Sequence, residues 1–219
     1  LDPARVVCGA GSDELIALLV KAYAGPGDEV LYSQYGFVMY PISAHAAGAT
    51  PVKAPETGFR TDVDAMLAKA GPRTKICFVA NPNNPTGTFL PHAPLKAFLR
   101  GLPSDVLVVL DEAYNEYLSP AERVDTTSWL GELPNLVITR TFSKSYSLAG
   151  MRLGLAVAHP EVIAALDKIR DHYHLDRLAL VAATAALSDQ DYLQPTLGKV
   201  RATRDWFSNE LRSIGYQIT

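Results

Sequence analysis

Three short polar stretches hold the side chains best suited to chemistry, and each directly follows a run of apolar residues. They are NPNNPTG (81–87) after KICFVA, DEAY (111–114) after VLVVL, and TFSKSYSLAGMRLG (141–154) after LVITR. Asp111 is poorly placed for free solvation, because a carboxylate beside a buried strand needs a cation or strong donors. It either caps the helix that follows or meets a positive group on a ligand. Tyr114 can turn its hydroxyl toward the same space. Asn84 offers an amide from a loop otherwise built of turn residues. Lys144 stands among hydroxyl and guanidinium donors, with Thr141 and Ser143 before it and Arg152 after it. On its own such a lysine reads as a surface charge; the other two strand ends give it a different meaning.

A fourth stretch, CGAGSDE (8–14), places Gly9 and Gly11 ahead of a helix starting near Ser12. Free N–H groups at a helix start, with a capping hydroxyl, make a cradle for an anion. The glycine spacing lacks the third glycine of a dinucleotide fingerprint, and no G-K-[ST] follows, so neither a Rossmann nor a Walker loop is expected. An anion cradle, an amine, a buried carboxylate, an amide and a phenol together suit pyridoxal 5'-phosphate. Its aldehyde needs a lysine amine, and its ring nitrogen needs an anionic partner to stay protonated. In that reading Lys144 is nucleophile and proton carrier, kept neutral by burial and nearby cations. Asp111 faces the ring nitrogen, and Asn84 and Tyr114 reach the phenolic oxygen. The Gly11–Ser12 helix start, Thr141, Ser143 and Arg152 hold the phosphate.

These side chains need a scaffold that brings strand ends together. Short β-rich runs alternate with helical patterns from DEVLYS to NLVITR, which predicts a three-layer α/β/α domain around a mostly parallel mixed sheet. VLVVL and LVIT are continuously apolar, as strands covered on both faces are. Ligands of such sheets collect at the carboxyl ends of the strands. Ser12 to Ala24 repeats apolar residues at a helical period and ends at Gly25-Pro26-Gly27. Leu193, Leu197, Val200, Phe207 and Leu211 place a long amphipathic helix at the end of the domain. Residues 1–213 are expected to form one cofactor-binding domain. SIGYQIT, including 214–219, reads as the start of a strand in a second domain, so that the sequence resembles a fragment.

The 219 residues carry a formal net charge of −3 and are 48% hydrophobic, which offers no overall basic field for nucleic acid or anionic lipid. No apolar stretch reaches the length of a membrane span, and no signal peptide opens the sequence. Cys8 and Cys77 lie in apolar runs and read as reduced thiols, in keeping with a cytoplasmic setting. His172 and His174 lack the further ligands that a metal site needs.

GSDE, NPNNPTG, DEAY and TFSKSYSLAGMRLG, in this order, resemble the fold-type I pyridoxal-phosphate aminotransferases, most closely their histidinol-phosphate aminotransferase branch. The similarity runs along nearly the whole sequence, including KIRDHYHLDRLALVAATAAL (168–187). The resemblance implies that Lys144 forms the Schiff base, Asp111 pairs with the ring nitrogen, and Asn84 and Tyr114 contact the ring oxygen. It also implies that Ser12 and Asp13 lie at the phosphate-binding helix start with Thr141, Ser143 and Arg152, and that Tyr35 stacks on the ring. The implied activity is amino-group exchange between amino acids and keto acids, in a homodimer, with 2-oxoglutarate and a phosphorylated imidazole compound as the substrate pair. The family's substrate-carboxylate arginine belongs to a smaller C-terminal domain, outside this sequence. His174 stands where the branch commonly has asparagine. Another transaminase or a decarboxylase on the same cofactor, a non-catalytic sensor domain, or a dehydrogenase are the alternatives; the broken glycine pattern speaks against the last.

Overall fold

The computed structural model describes residues 2–219, and its sheet order explains how distant polar stretches meet. The strands are β1 (Val6–Gly9), β2 (Glu29–Ser33), β3 (Thr50–Ala54), β4 (Glu56–Thr57), β5 (Arg60–Thr61), β6 (Thr74–Ala80), β7 (Leu107–Asp111), β8 (Leu136–Thr141) and β9 (Gly154–Val157). The helices are α1 (Ser12–Tyr23), α2 (Met39–Ala46), α3 (Val63–Lys69), α4 (His92–Gly101), α5 (Pro160–Ile169), α6 (Arg177–Ser188) and α7 (Gln190–Ser213). Seven strands form one sheet in the order β1-β9-β8-β7-β6-β2-β3, while β4 and β5 make a separate small hairpin. The β3-β2-β6-β7-β8 pairings are parallel; β9 pairs antiparallel with both β8 and β1. The expected mostly parallel mixed sheet is therefore present.

Alternate strand residues face opposite layers. On one side Phe78, Val109, Val137 and Ala156 pack with Leu15, Leu19, Ala44 and Ile163 from α1, α2 and α5. On the other, Cys77, Val108, Leu110 and Ile138 pack with Met66, Leu95, Phe98 and Trp129. Strands covered on both faces must be apolar at every position, which is why VLVVL and LVIT show no alternation. Burial is the source of most of the stability here, at roughly 25 cal/mol per Å² of apolar surface.

Two expectations fare differently at the chain's end. The long helix exists as α7, but only Leu193 and Leu197 of its apolar row are buried, while Val200 and Phe207 are exposed. After Ser213 the described residues form no strand, in contrast to the expectation from SIGYQIT. No described helix is long and apolar enough to cross a membrane.

Candidate active site

Strand register brings the polar stretches to one edge. Ala80 lies opposite Asp111, and Asp111 opposite Thr139. Thr141 lies opposite Gly154, and Gly154 opposite Gly9. Because β9 runs against its neighbours, its first residues, not its last, reach this edge, and Arg152 arrives there just ahead of Gly154. A cavity of about 160 Å³ opens at the edge, lined among others by Ser12, Asp13, Asn84, Asp111, Tyr114, Thr141, Ser143, Lys144 and Arg152. Nine of the residues singled out from the sequence thus share one cavity wall.

The start of α1 is an open cradle. Gly11 occupies the N-cap position at φ 86°, a left-handed conformation that glycine adopts without penalty, and no side chain caps the helix. Ser12 was expected as the capping hydroxyl; it is instead the first helical residue. The first N–H groups of the helix are consequently left for a ligand, and the helix dipole favours an anion there. Arg152, held at φ 50°, lies against this loop. Its guanidinium donates to the Ala10 carbonyl at 3.4 Å and lies 3.6 Å from the Asp13 carboxylate. Gly154 lets the cradle sit directly on the sheet: a Cβ there would lie 2.5 Å from the Ser12 nitrogen and 2.7 Å from the Gly11 carbonyl carbon.

Asp111 is 5% exposed. Its Oδ2 accepts from the Tyr40 hydroxyl at 2.9 Å and its Oδ1 from the Ala113 N–H at 3.1 Å. The second bond is a local turn contact, not the helix cap considered above, since Tyr114 holds the N-cap of the short 3-10 turn Asn115–Tyr117, and it does not discharge the carboxylate. Burial pushes the acid's pKa above its ordinary value, against the pull of these hydrogen bonds. Among the described residues no cation stands within ion-pair distance of it. A buried carboxylate facing a cavity without a countercharge is suited to a cationic ring nitrogen.

In NPNNPTG the three asparagines divide their work. Asn81 exchanges two hydrogen bonds with the Leu90 backbone, and Asn83 donates to Thr86 at 2.8 Å and to the Tyr35 carbonyl at 3.3 Å. These two fix the loop. Asn84 faces the cavity, its amide 3.5 Å from the Tyr114 hydroxyl. Lys144 Nζ stands 5.5 Å from the centre of the Tyr114 ring. The sequence suggests a buried lysine; Lys144 lines the cavity but is exposed, without cover from the described residues.

Tyr35 does not line the cavity. Its ring packs on Phe59 at 5.6 Å and is 42% exposed, and Phe37, two residues on, lines the cavity instead. Three further contributors carry no signal in the sequence beyond their surroundings. Tyr40, in an ordinary helical run, is fully buried under Asp111; Gly154 looks like any strand glycine. Glu112, next to Asp111, points the other way and pairs with Arg140 Nη2 at 2.7 Å while accepting from Thr126 at 2.7 Å. That internal pair anchors the DEAY turn.

The aminotransferase class I and II family model matches residues 1–219. This chain is a member of that family. It is 49% identical over 218 residues to a histidinol-phosphate aminotransferase of Rhodospirillum centenum, covering 100% of this chain and 60% of that protein. Among solved structures, a histidinol-phosphate aminotransferase from Sinorhizobium meliloti in complex with pyridoxal-5'-phosphate superposes with a TM-score of 0.92 at 34% identity, over 97% of this chain and 58% of that one. An aspartate aminotransferase from Thermus thermophilus with maleate gives 0.89 at 27% identity, over 99% and 59%. The chain therefore spans about 60% of the length of the relative from R. centenum.

Proposed function

We propose that this chain is the cofactor-binding part of a pyridoxal-phosphate aminotransferase acting on histidinol phosphate and 2-oxoglutarate. The observation that carries the reading is the shared cavity: an unpaired buried acid, an accessible lysine and an uncapped helix start with its arginine, all at one sheet edge. The donor set fits the cofactor's three demands for an anion, an acid and an amine. The identity to histidinol-phosphate aminotransferases supports the substrate pair.

When bound, pyridoxal phosphate supplies an electron-withdrawing ring beside which the α-proton of an amino acid becomes acidic. The chain's own residues do the rest. Asp111 holds a proton on the ring nitrogen and is itself relieved of an uncompensated burial. Asn84 and Tyr114 donate to the ring oxygen. The α1 start, Thr141, Ser143 and Arg152 grip the phosphate. Lys144 Nζ would hold the cofactor through its aldehyde and would carry the substrate's α-proton as general base and acid.

A homodimer belongs to the same proposal. Helix α6 supports it by presenting Leu178, Val181 and Leu187 to solvent, at 70%, 63% and 52% exposure, a face that a second subunit would cover.

The test is a substrate panel on the full-length, cofactor-loaded protein. Turnover of histidinol phosphate with 2-oxoglutarate well above that of aromatic, aliphatic and acidic amino acids is expected. Preference for any of those others would replace the substrate assignment.

A further inference from the structure

His174 lies between α5 and α6, and its side chain is 5% exposed. Nδ1 is 2.8 Å from the Asp171 carbonyl oxygen and Nε2 3.2 Å from that of Cys8. A carbonyl oxygen only accepts, so a ring nitrogen that carries a hydrogen donates to the carbonyl it faces. Nε2 is also 3.6 Å from Glu14 Oε2. Glu14 in turn accepts the Ala10 N–H at 2.6 Å, and the Ala10 carbonyl accepts from Arg152 at 3.4 Å. One line of contacts runs from His174 through Glu14 and the Ala10 peptide to Arg152 at the cavity.

We propose that His174 is a positioning residue for the anion cradle, holding the end of β1 and Glu14 so that the Ala10–Asp13 backbone and Arg152 keep their phosphate-binding geometry. The inference rests on the reading of that cradle as the cofactor's phosphate site. Two features favour positioning over mere filling of space. Two of the ring's three polar neighbours, Cys8 and Glu14, belong to the segment that forms the cradle. In addition, Glu14 Oε2, 3.6 Å from the ring, is the acceptor that holds the Ala10 N–H, so the ring borders the contact that fixes the loop's backbone.

The experiment uses the full-length protein stripped of cofactor, as wild type, His174→Ala and His174→Gln. Three ligands are titrated: pyridoxal 5'-phosphate and pyridoxal by absorbance, and inorganic phosphate by ³¹P NMR. His174→Ala is expected to weaken both phosphate-bearing ligands roughly tenfold, the scale of losing a hydrogen bond and leaving its buried partner unpaired, and to leave pyridoxal unchanged. His174→Gln, whose amide can still donate to one carbonyl, is expected to fall between. Equal weakening of pyridoxal and its phosphate would reduce His174 to a general structural part and overturn the proposal, as would wild-type phosphate affinity in a folded His174→Ala. If His174→Ala does not fold, His174→Gln decides by the same comparison. Should wild type bind inorganic phosphate but no pyridoxal phosphate, the functional reading fails, while the variants' phosphate affinities still decide the role of His174.

Discussion

The Tyr40 hydroxyl donates to Oδ2 of Asp111 across 2.9 Å. The Tyr40 ring stacks on Phe78 at 4.4 Å and meets Phe37 edge-on at 5.8 Å. Helix α2 thereby fixes the acid at the end of β7, and the same aromatic group reaches the cavity wall through Phe37. Hydrogen bonds to charged groups contribute about 1.5–3 kcal/mol. Tyr40→Phe keeps the stacking and removes the donor, so the cofactor's dissociation constant is expected to rise by roughly tenfold or more. Absorbance titration measures this, and an unchanged constant would show that Ala113 alone suffices to hold Asp111.

Asp111→Asn separates binding from stability. Burial raises the acid's pKa in the folded chain above the ordinary 3.8, so the folded state retains a proton that the unfolded state releases. The empty protein therefore loses stability as pH rises from the ordinary aspartate range through the folded value, and it stays diminished above that value. The asparagine variant lacks this decline. At neutral pH without cofactor it is expected to melt at or above the wild-type temperature. With cofactor the order reverses, since wild type gains stability by binding and the variant loses the charge pair, a change of about 3–5 kcal/mol for a buried partner. Melting curves from about pH 4 to neutrality, spanning the ordinary aspartate range upward, with and without pyridoxal phosphate, check both halves.

Lys144→Ala is expected to abolish the visible absorbance of the lysine-bound cofactor and to lower turnover by at least about 10²–10⁴-fold, the range for a lost general acid–base group. Because Lys144 is exposed and outside the core, its melting temperature without cofactor should match wild type. A retained visible band would remove Lys144 from its assigned role.

Gly154→Ala puts a methyl group 2.5 Å from the Ser12 nitrogen and 2.9 Å from the Arg140 carbonyl oxygen. Both neighbours are backbone, so relief requires the cradle to lift from the sheet. Overpacking of this kind costs about 1–3 kcal/mol, or a few degrees of melting temperature for each kcal/mol in a chain of this size. Weaker phosphate binding should accompany the thermal loss. A variant that melts and binds like wild type would mean the cradle can shift freely.

The fold was legible because strand-helix alternation and unbroken aliphatic runs report double-sided burial directly. Asp111 was legible as a carboxylate directly after an aliphatic run, and Asn84 and Lys144, a few residues past two other such runs, took their meaning from sharing its sheet edge. Tyr40, Phe37 and Gly154 were not. Their contribution lies in which distant residue they touch, and periodicity within one helix or strand carries no record of that. The misplaced expectation for Tyr35 has the same origin: it stands two residues from Phe37 in SQYGF, and only the path of the chain into α2 decides which ring turns to the cavity. The burial expected for Lys144 failed for a related reason, because cover must come from elsewhere than its own strand end.

The pairing of Gly9 with Gly154 has a consequence for synthesis. One wall of the cradle is made near the beginning of the described chain, and the strand it rests on is made some two-thirds of the way along. Contacts so far apart in sequence carry a high loop-closure entropy and tend to form late. On the ribosome, the Ser12 helix start is completed early but has no β9 to seat it until Gly154–Val157 has emerged. The nascent chain would therefore acquire its affinity for phosphate after most of its sheet, so a cofactor present during translation could not guide the first steps of folding.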